Sequence, residues 1–212
     1  MRKTPAGTSG LWMLWVALAT WGCTAVGTEH AVVLIPSTPV LDETGGTITT
    51  LPAGATVEFL GEFSAGLQVR LDDGRTGYIE RHRAVGGAWP AAVIATLKVE
   101  PGGILTPPAA VAVVAEEDDA VELAYALNEK IHYGRTNELS HLSAVGRDLY
   151  LTQAWLEIRM LKDPEKSVAL KKLLEEAGDS ELVPHLSREA AGESPIIEYK
   201  FPEPFLADDD SL

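Results

Sequence analysis

From Ala31 onward, apolar and polar positions exchange over short distances. Ala31 to Ile35 is an unbroken apolar, β-rich run, stopped by Pro36, Ser37 and Pro39. Val40-Leu41 runs into a turn cluster, Asp42-Glu43-Thr44-Gly45-Gly46. Thr47 to Leu51 is β-branched and alternating, and Pro52-Ala53-Gly54 turns the chain again. Ala55 to Gly61 puts Val57, Phe59 and Gly61 on one face, with Glu58 and Leu60 on the other. Leu67, Val69 and Leu71 share a face, opposite Gln68 and Arg70. Asp72-Asp73-Gly74 marks a hairpin, because a glycine after aspartate accepts the positive φ of a tight turn. Thr76 to Ile79 is its return strand. Strands this short, roughly 8–12 residues apart, predict a compact all-β barrel over residues 31–87.

Beyond this the pattern lengthens. Gly86-Gly87-Ala88-Trp89-Pro90 reads as a hinge, and Val93 to Val99 as a further strand or an extended connector. Pro101, Pro107 and Pro108 exclude regular helix. The acidic run Glu116 to Asp119 suits the start of a helix, where the macrodipole favours negative charge. Ala120, Ala124, Leu127 and Ile131 would form that helix's apolar stripe, and Gly134 its end. A second helix is expected over 137–162, with Leu139, Leu142, Gly146, Leu149, Gln153, Leu156 and Met160 in one row. Asp163-Pro164 caps a third, which carries Val168, Leu170, Leu173, Leu174 and Ala177 and is closed by Gly178. A shorter fourth follows through Leu186. The expected class is α+β: a small barrel followed by a helical module of three to four helices over 88–191. Pro195, Pro202 and Pro204 exclude helix from the last segment, 192–212, which is Pro-rich and acidic. There Ile196, Ile197, Tyr199, Phe201 and Phe205 predict an extended stretch lying against the folded body.

The amino terminus carries a different signal. Arg2 and Lys3 precede Leu11 to Thr20, a short uncharged apolar run, and Trp21, Gly22 and Cys23 follow. A charged start, a short apolar core and a small residue near a cut describe an export signal over residues 1–22, with 23–30 as a linker. The run is too short for a membrane span, which needs about 20 apolar residues. The box Thr20-Trp21-Gly22-Cys23 resembles the bacterial lipoprotein signal, in which the cysteine after the cut is lipidated. Thr20 and Trp21 depart from the leucine and small residue usual there. The resemblance implies an acylated Cys23, a membrane anchor, and a place in the cell envelope. Thr24, where an aspartate would retain such proteins, implies the outer membrane facing the periplasm.

Composition narrows the partners. The chain has 212 residues, 46% of them hydrophobic, and a formal net charge of −14. Cleavage before Cys23 removes two positive charges and no acid, deepening that imbalance. Nucleic acid is excluded as a main partner, since phosphate binding needs clustered Lys and Arg. The single cysteine excludes an internal disulfide framework and any multi-cysteine zinc site.

Three pieces in order, TLPAG at 50–54, VEFLG at 57–61 and VRLDDGRTGYI at 69–79, resemble the bacterial SH3-like domain family. Leu67-Gln68 stands where that family commonly has a tryptophan, while its later aromatic is present as Tyr78. The resemblance implies a barrel that binds a ligand, with Leu67, Arg70, Arg75 and Tyr78 as contact residues and Arg81 and Arg83 nearby.

Catalytic patterns are sparse. The five histidines form no His-Glu-x-x-His pair, although His132 and His141 flank a turn. Ser64 misses a nucleophile elbow by one residue, and no phosphate-binding glycine loop is present. No catalytic residue, metal ligand or cofactor is nominated. The sequence therefore points to a non-catalytic envelope lipoprotein that binds a cell-wall component or another envelope protein. The alternative is a cell-wall hydrolase accessory, or a cryptic hydrolase with an unrecognised site in the helical module.

Overall fold

The computed structural model describes residues 29–193, so the export signal, Cys23 and residues 194–212 lie outside the described residues. Strands β1 (His30–Val33), β2 (Thr38–Leu41), β3 (Thr47–Leu51), β4 (Thr56–Phe63), β5 (Gly66–Arg70), β6 (Thr76–Ile79) and β7 (Ala84–Gly86) form one sheet in the order β3-β2-β6-β5-β4-β1-β7. Its ladders are antiparallel. The predicted strands are present, and Gly74 has the φ of +85° that its turn requires. The predicted closure is not: β3 and β7 are the two edges of an open, curled sheet. The curl brings Val33, Val40, Val57, Leu67, Val69 and Ile79 into one core.

The chain continues through β8 (Trp89–Val93), the hairpin β9 (Leu97–Val99) and β10 (Gly103–Leu105), then β11 (Ala110–Glu117), β12 (Ala120–Leu127), β13 (Lys130–Thr136) and β14 (Leu142–Ser143). A second antiparallel sheet has the order β13-β12-β11-β8-β14. The helical module expected over 88–191 is thus corrected to strands as far as Ser143, with α-helices only at α1 (Gly146–Arg159), α2 (Glu165–Glu176) and α3 (Val183–Ala190) among the described residues. The fold is predominantly antiparallel β, neither a closed SH3-like barrel nor a helical bundle.

The supposed first helix fails for a physical reason. Val121, Leu123 and Tyr125 of β12 enter one core with Val111 and Val113 of β11. The residues between them, Ala112 and Ala124, pack on the opposite face against Val32, Leu34 and Val85. Both faces are buried there, so the period of two is carried by side-chain size rather than polarity. The acidic run is the β11–β12 hairpin, with Glu117 opposite Ala120. Asn128 and Glu129, both at positive φ, make the two-residue β12–β13 turn between Leu127 and Lys130. Gly134 lies inside β13, where an added Cβ would be 2.3 Å from Val99 Cγ1, so it admits the crossing β9 hairpin rather than ending a helix.

The two sheets meet through β1. Ala31 and Val33 face the first core, while Val32 and the following Leu34 face the second sheet. The helices form a third cluster around Trp155, Leu151, Leu170, Leu173, Leu182 and Leu186, into which Ile94 reaches from the end of β8. Among the described residues no helix is long and apolar enough to cross a membrane.

The turn assignment has a sign that separates hairpin from helix. Glu129→Gly should stabilise the protein by about 0.5–1 kcal/mol, by relieving a positive φ. Inside a helix the same change would cost about 1 kcal/mol. Urea unfolding of the two proteins measures the difference.

Candidate functional site

The groove beside Tyr78 is built by a close approach of two strands. A Cβ on Gly77 would lie 2.6 Å from Val40 Cγ1 and 2.8 Å from the Leu41 carbonyl. Glycine there lets β6 lie against β2 and sets Tyr78 opposite both Leu41 and Gln68. Gln68 donates an Nε2 hydrogen bond to the Tyr78 hydroxyl at 3.4 Å. Leu41, Asp42, Glu43, Gly45, Ala65 and Tyr78 line an open groove of about 290 Å³.

The β2–β3 loop supplies its acidic rim. The Asp42 carboxylate accepts hydrogen bonds from the Thr44 hydroxyl at 2.6 Å and from the backbone N–H of Thr44 and Gly46, each at 2.8 Å. The Thr44 hydroxyl first, then the backbone donors, hold this exposed carboxyl below the usual carboxylate range. Asp42 is therefore charged at neutral pH and fixed in place, with exposed Glu43 beside it. An aromatic and apolar floor under an acidic edge suits a cation over the Tyr78 ring, or the apolar face of a sugar whose hydroxyls or amines reach the carboxylates.

The other expected contact residues do not join Tyr78. Leu67 is only 2% exposed and packs in the first core. It stands opposite Ile79 in the ladder, so Tyr78, one residue along, points to the other face. An exposed groove shared by Leu67 and Tyr78 is corrected on that parity. Arg70 donates from Nη1 to both Glu58 carboxylate oxygens, at 2.9 and 3.0 Å. Arg75 Nε donates to Asp73 at 2.8 Å, and that hydrogen bond, then the Asp73 charge, raises the guanidinium's already high pKa. Arg81 donates to the Phe63 carbonyl and Arg83 to Glu80. These exposed pairs contribute little stability, but each already engages the guanidinium.

His132 stacks on Tyr125 with ring centroids 5.8 Å apart, whereas His141 lies 3.4 Å from Glu138. Among the described residues, no group of three or more His, Cys, Asp or Glu is placed to hold a metal ion.

Two carboxylates withdrawn from water escaped sequence reasoning. Asp148, in the first turn of α1, is buried and accepts hydrogen bonds from Ser143 Oγ and Ser180 Oγ, each at 2.5 Å. It ties β14, α1 and the α2–α3 loop together. Glu189 of α3, its side chain 9% exposed, accepts from Trp155 Nε1 at 3.0 Å and from the Arg159 guanidinium, and pairs with Lys166 Nζ at 3.2 Å. Burial pushes its carboxyl up, but hydrogen bonding and charge from Arg159, then Lys166, outweigh this and hold it below the usual range. Both carboxylates are occupied in joining elements rather than facing a groove. Most of their partners come from other elements, far along the chain, which hides the pairs from any local motif.

No protein-family model matches the chain, and no curated protein is detectably similar to it in sequence. Among solved structures, NlpC1 from Trichomonas vaginalis overlaps 54% of this chain and 45% of its own, at 13% identity and a TM-score of 0.25. NlpC2 from Trichomonas vaginalis overlaps 70% and 55%, at 11% identity and a TM-score of 0.27. The chain spans about half the length of these two proteins, and likeness this slight carries no inference about fold or activity.

The Glu189 cluster predicts a pH dependence. Its folded pKa is below its unfolded one, so its stabilisation is present above the ordinary carboxylate range. That stabilisation is lost as pH falls below the ordinary carboxylate range and through the lowered value. Glu189→Gln should cost about 1–3 kcal/mol at pH 7 and less at pH 3. Denaturant midpoints of both proteins at the two pH values check this.

Proposed function

We propose that this chain is a lipid-anchored, non-catalytic binding protein of a bacterial cell envelope, and that it engages its partner at the Tyr78 groove. The observation that carries the reading is the groove itself. Its aromatic floor is set by strand pairing, and its acidic rim is set by the hydrogen-bonded Asp42 loop. A surface formed by hairpin ends on a packed sheet keeps its geometry without a ligand, so little ordering opposes binding. The partner is a cell-wall component or another envelope protein, presenting amines or sugar faces rather than anions. That preference follows from the acidic rim and from a chain with 31 acidic against 17 basic side chains.

The anchor rests on Arg2, Lys3, the apolar run from Leu11 and the position of Cys23. Two or more acyl chains would hold the protein firmly to a membrane, whereas one would hold it only marginally. By the lipoprotein resemblance, Thr24 favours the outer membrane facing the periplasm.

Two experiments test the reading. Soluble protein comprising residues 24–212 should be retained on purified cell wall or envelope extract, and Tyr78→Ala should weaken retention about tenfold or more with an unchanged circular dichroism spectrum. Undiminished retention of Tyr78→Ala would remove the groove from the account, and hydrolysis of a wall substrate would remove the non-catalytic reading. In cells, Cys23→Ser should abolish palmitate labelling; continued labelling shows that Cys23 is not the anchor.

A further inference from the structure

The Tyr78 groove lies at one end of a longer surface. In the first sheet Leu67, Val69 and Ile79 face the core, so the residues between them point away from it. The registers set these outward residues in adjoining rows. Tyr78 stands opposite Gln68. Two residues along β5, Arg70 stands opposite Glu58, which in turn stands opposite His30. The residue opposite Gln68 on β4 is Gly61, which adds no side chain to wall off the row. At the far end β8 begins. The Ala88 N–H donates to the His30 carbonyl at 3.1 Å, which sets the next residue, Trp89, beside His30. The two rings meet edge to face with centroids 5.5 Å apart. Trp89 is nevertheless 57% exposed, so its indole is braced by His30 and still open to water.

We propose that the ligand of the Tyr78 groove is a linear, non-anionic oligosaccharide that runs along this face from Tyr78 to Trp89, an inference that rests on the Tyr78 groove being the binding site. Strand spacing sizes the surface. Three inter-strand steps from β6 to β1, of about 4.8 Å each, and a two-residue shift along β5 separate Tyr78 from His30 by roughly 16 Å. Trp89 lies one ring contact further on. A single sugar ring covers only one end of such a face, whereas a chain of sugars reaches both.

The chemistry along the face selects that occupant. Both ends offer an aromatic ring with a large apolar surface, against which the C–H face of a sugar packs. Between them the charges cancel, because both Glu58 carboxylate oxygens accept hydrogen bonds from Arg70. Gln68, Arg70, Glu58 and His30 together present N–H donors and acceptor atoms, the partners that sugar hydroxyl and acetamido groups require. A polyanion would meet no net positive charge there, and Asp42 and Glu43 would repel it at the Tyr78 end. A peptide added as a further strand would need an unpaired sheet edge, and β4, β5 and β6 are each flanked by strands on both sides.

The test titrates soluble protein comprising residues 24–212 with N-acetylglucosamine oligomers in a calorimeter. The hexasaccharide should bind about tenfold or more tightly than the disaccharide, because it alone reaches both aromatic ends. Trp89 and Trp155 are the tryptophans of this protein, and Trp155 is buried, so acrylamide quenching is read chiefly from Trp89. The hexasaccharide should protect Trp89 from acrylamide, and the disaccharide, held at the Tyr78 groove, should not. Trp89→Ala should weaken hexasaccharide binding about tenfold and leave the disaccharide unchanged, with Trp89→Tyr restoring most of the loss. Tyr78→Ala should weaken both. Loss of binding in Tyr78→Ala, with Trp89→Ala unaffected at every length, would overturn this inference and leave the Tyr78 groove in place. Insensitivity to both substitutions would overturn the groove as well. Binding of no oligomer would overturn the oligosaccharide, and retention of Tyr78→Ala on purified cell wall then decides whether the groove falls with it.

Discussion

Strand β1 is buried on both of its faces, and the remainder of the molecule is arranged around that constraint. Ala31 and Val33 complete the core of the curled first sheet, while Val32 and Leu34 close against the alanine face of the second. Ala31, Val32 and Val33 are each inaccessible to water, and burying each valine contributes on the order of 1.5–3 kcal/mol. Small residues on the facing strands, Ala112 and Ala124, let the sheets approach closely. The second sheet then turns its larger side chains outward, under the β9–β10 hairpin, and its β8 strand carries Ile94 into the helical cluster. The order of layers is therefore first core, β1, alanine seam, second core, with the helices attached at one end.

This layering explains what the amino-acid pattern disclosed and what it concealed. Strands of the first sheet were legible because Gln68 and Arg70 face outward between buried Leu67, Val69 and Leu71, and polarity marks the period. In the buried parts of β11 and β12 the period alternates large with small, since neither face meets water there. Ala120, Ala124, Leu127 and Ile131 then imitate a helical stripe by coincidence of spacing. Helix α2 was legible because Pro164 and Gly178 punctuate it, and Gly178 takes a φ of +60° just past its end. Helix α1 was expected to begin at 137, but Ser143 is held in the β14 ladder and bonds Asp148, so the helix starts only at Gly146.

Site residues divide along similar lines. Tyr78 was accessible to sequence reasoning through the glycine beside it and the hairpin before it. Its rim was visible only as a turn, because the bonds that fix Asp42 depend on loop conformation. Leu67 misled because a neighbour in a ladder and a neighbour on a face differ by one residue. Asp148 and Glu189 were invisible, since charge satisfaction between distant segments leaves no mark on local composition. The Tyr78 groove occurs where the layering leaves an edge, at the β2–β3 turn.

The central claim is that β1 joins sheets and helices into one cooperative body. In residues 24–212 carrying Trp89→Phe, Trp155 is the single tryptophan and its fluorescence reports on the helices, while far-ultraviolet circular dichroism sums sheets and helices. Denaturant unfolding followed by both signals should give coincident transitions, and Val32→Ala should lower both midpoints together, by the equivalent of about 1–3 kcal/mol. Separate transitions, or a Val32→Ala shift seen in the dichroism but not at Trp155, would contradict the account.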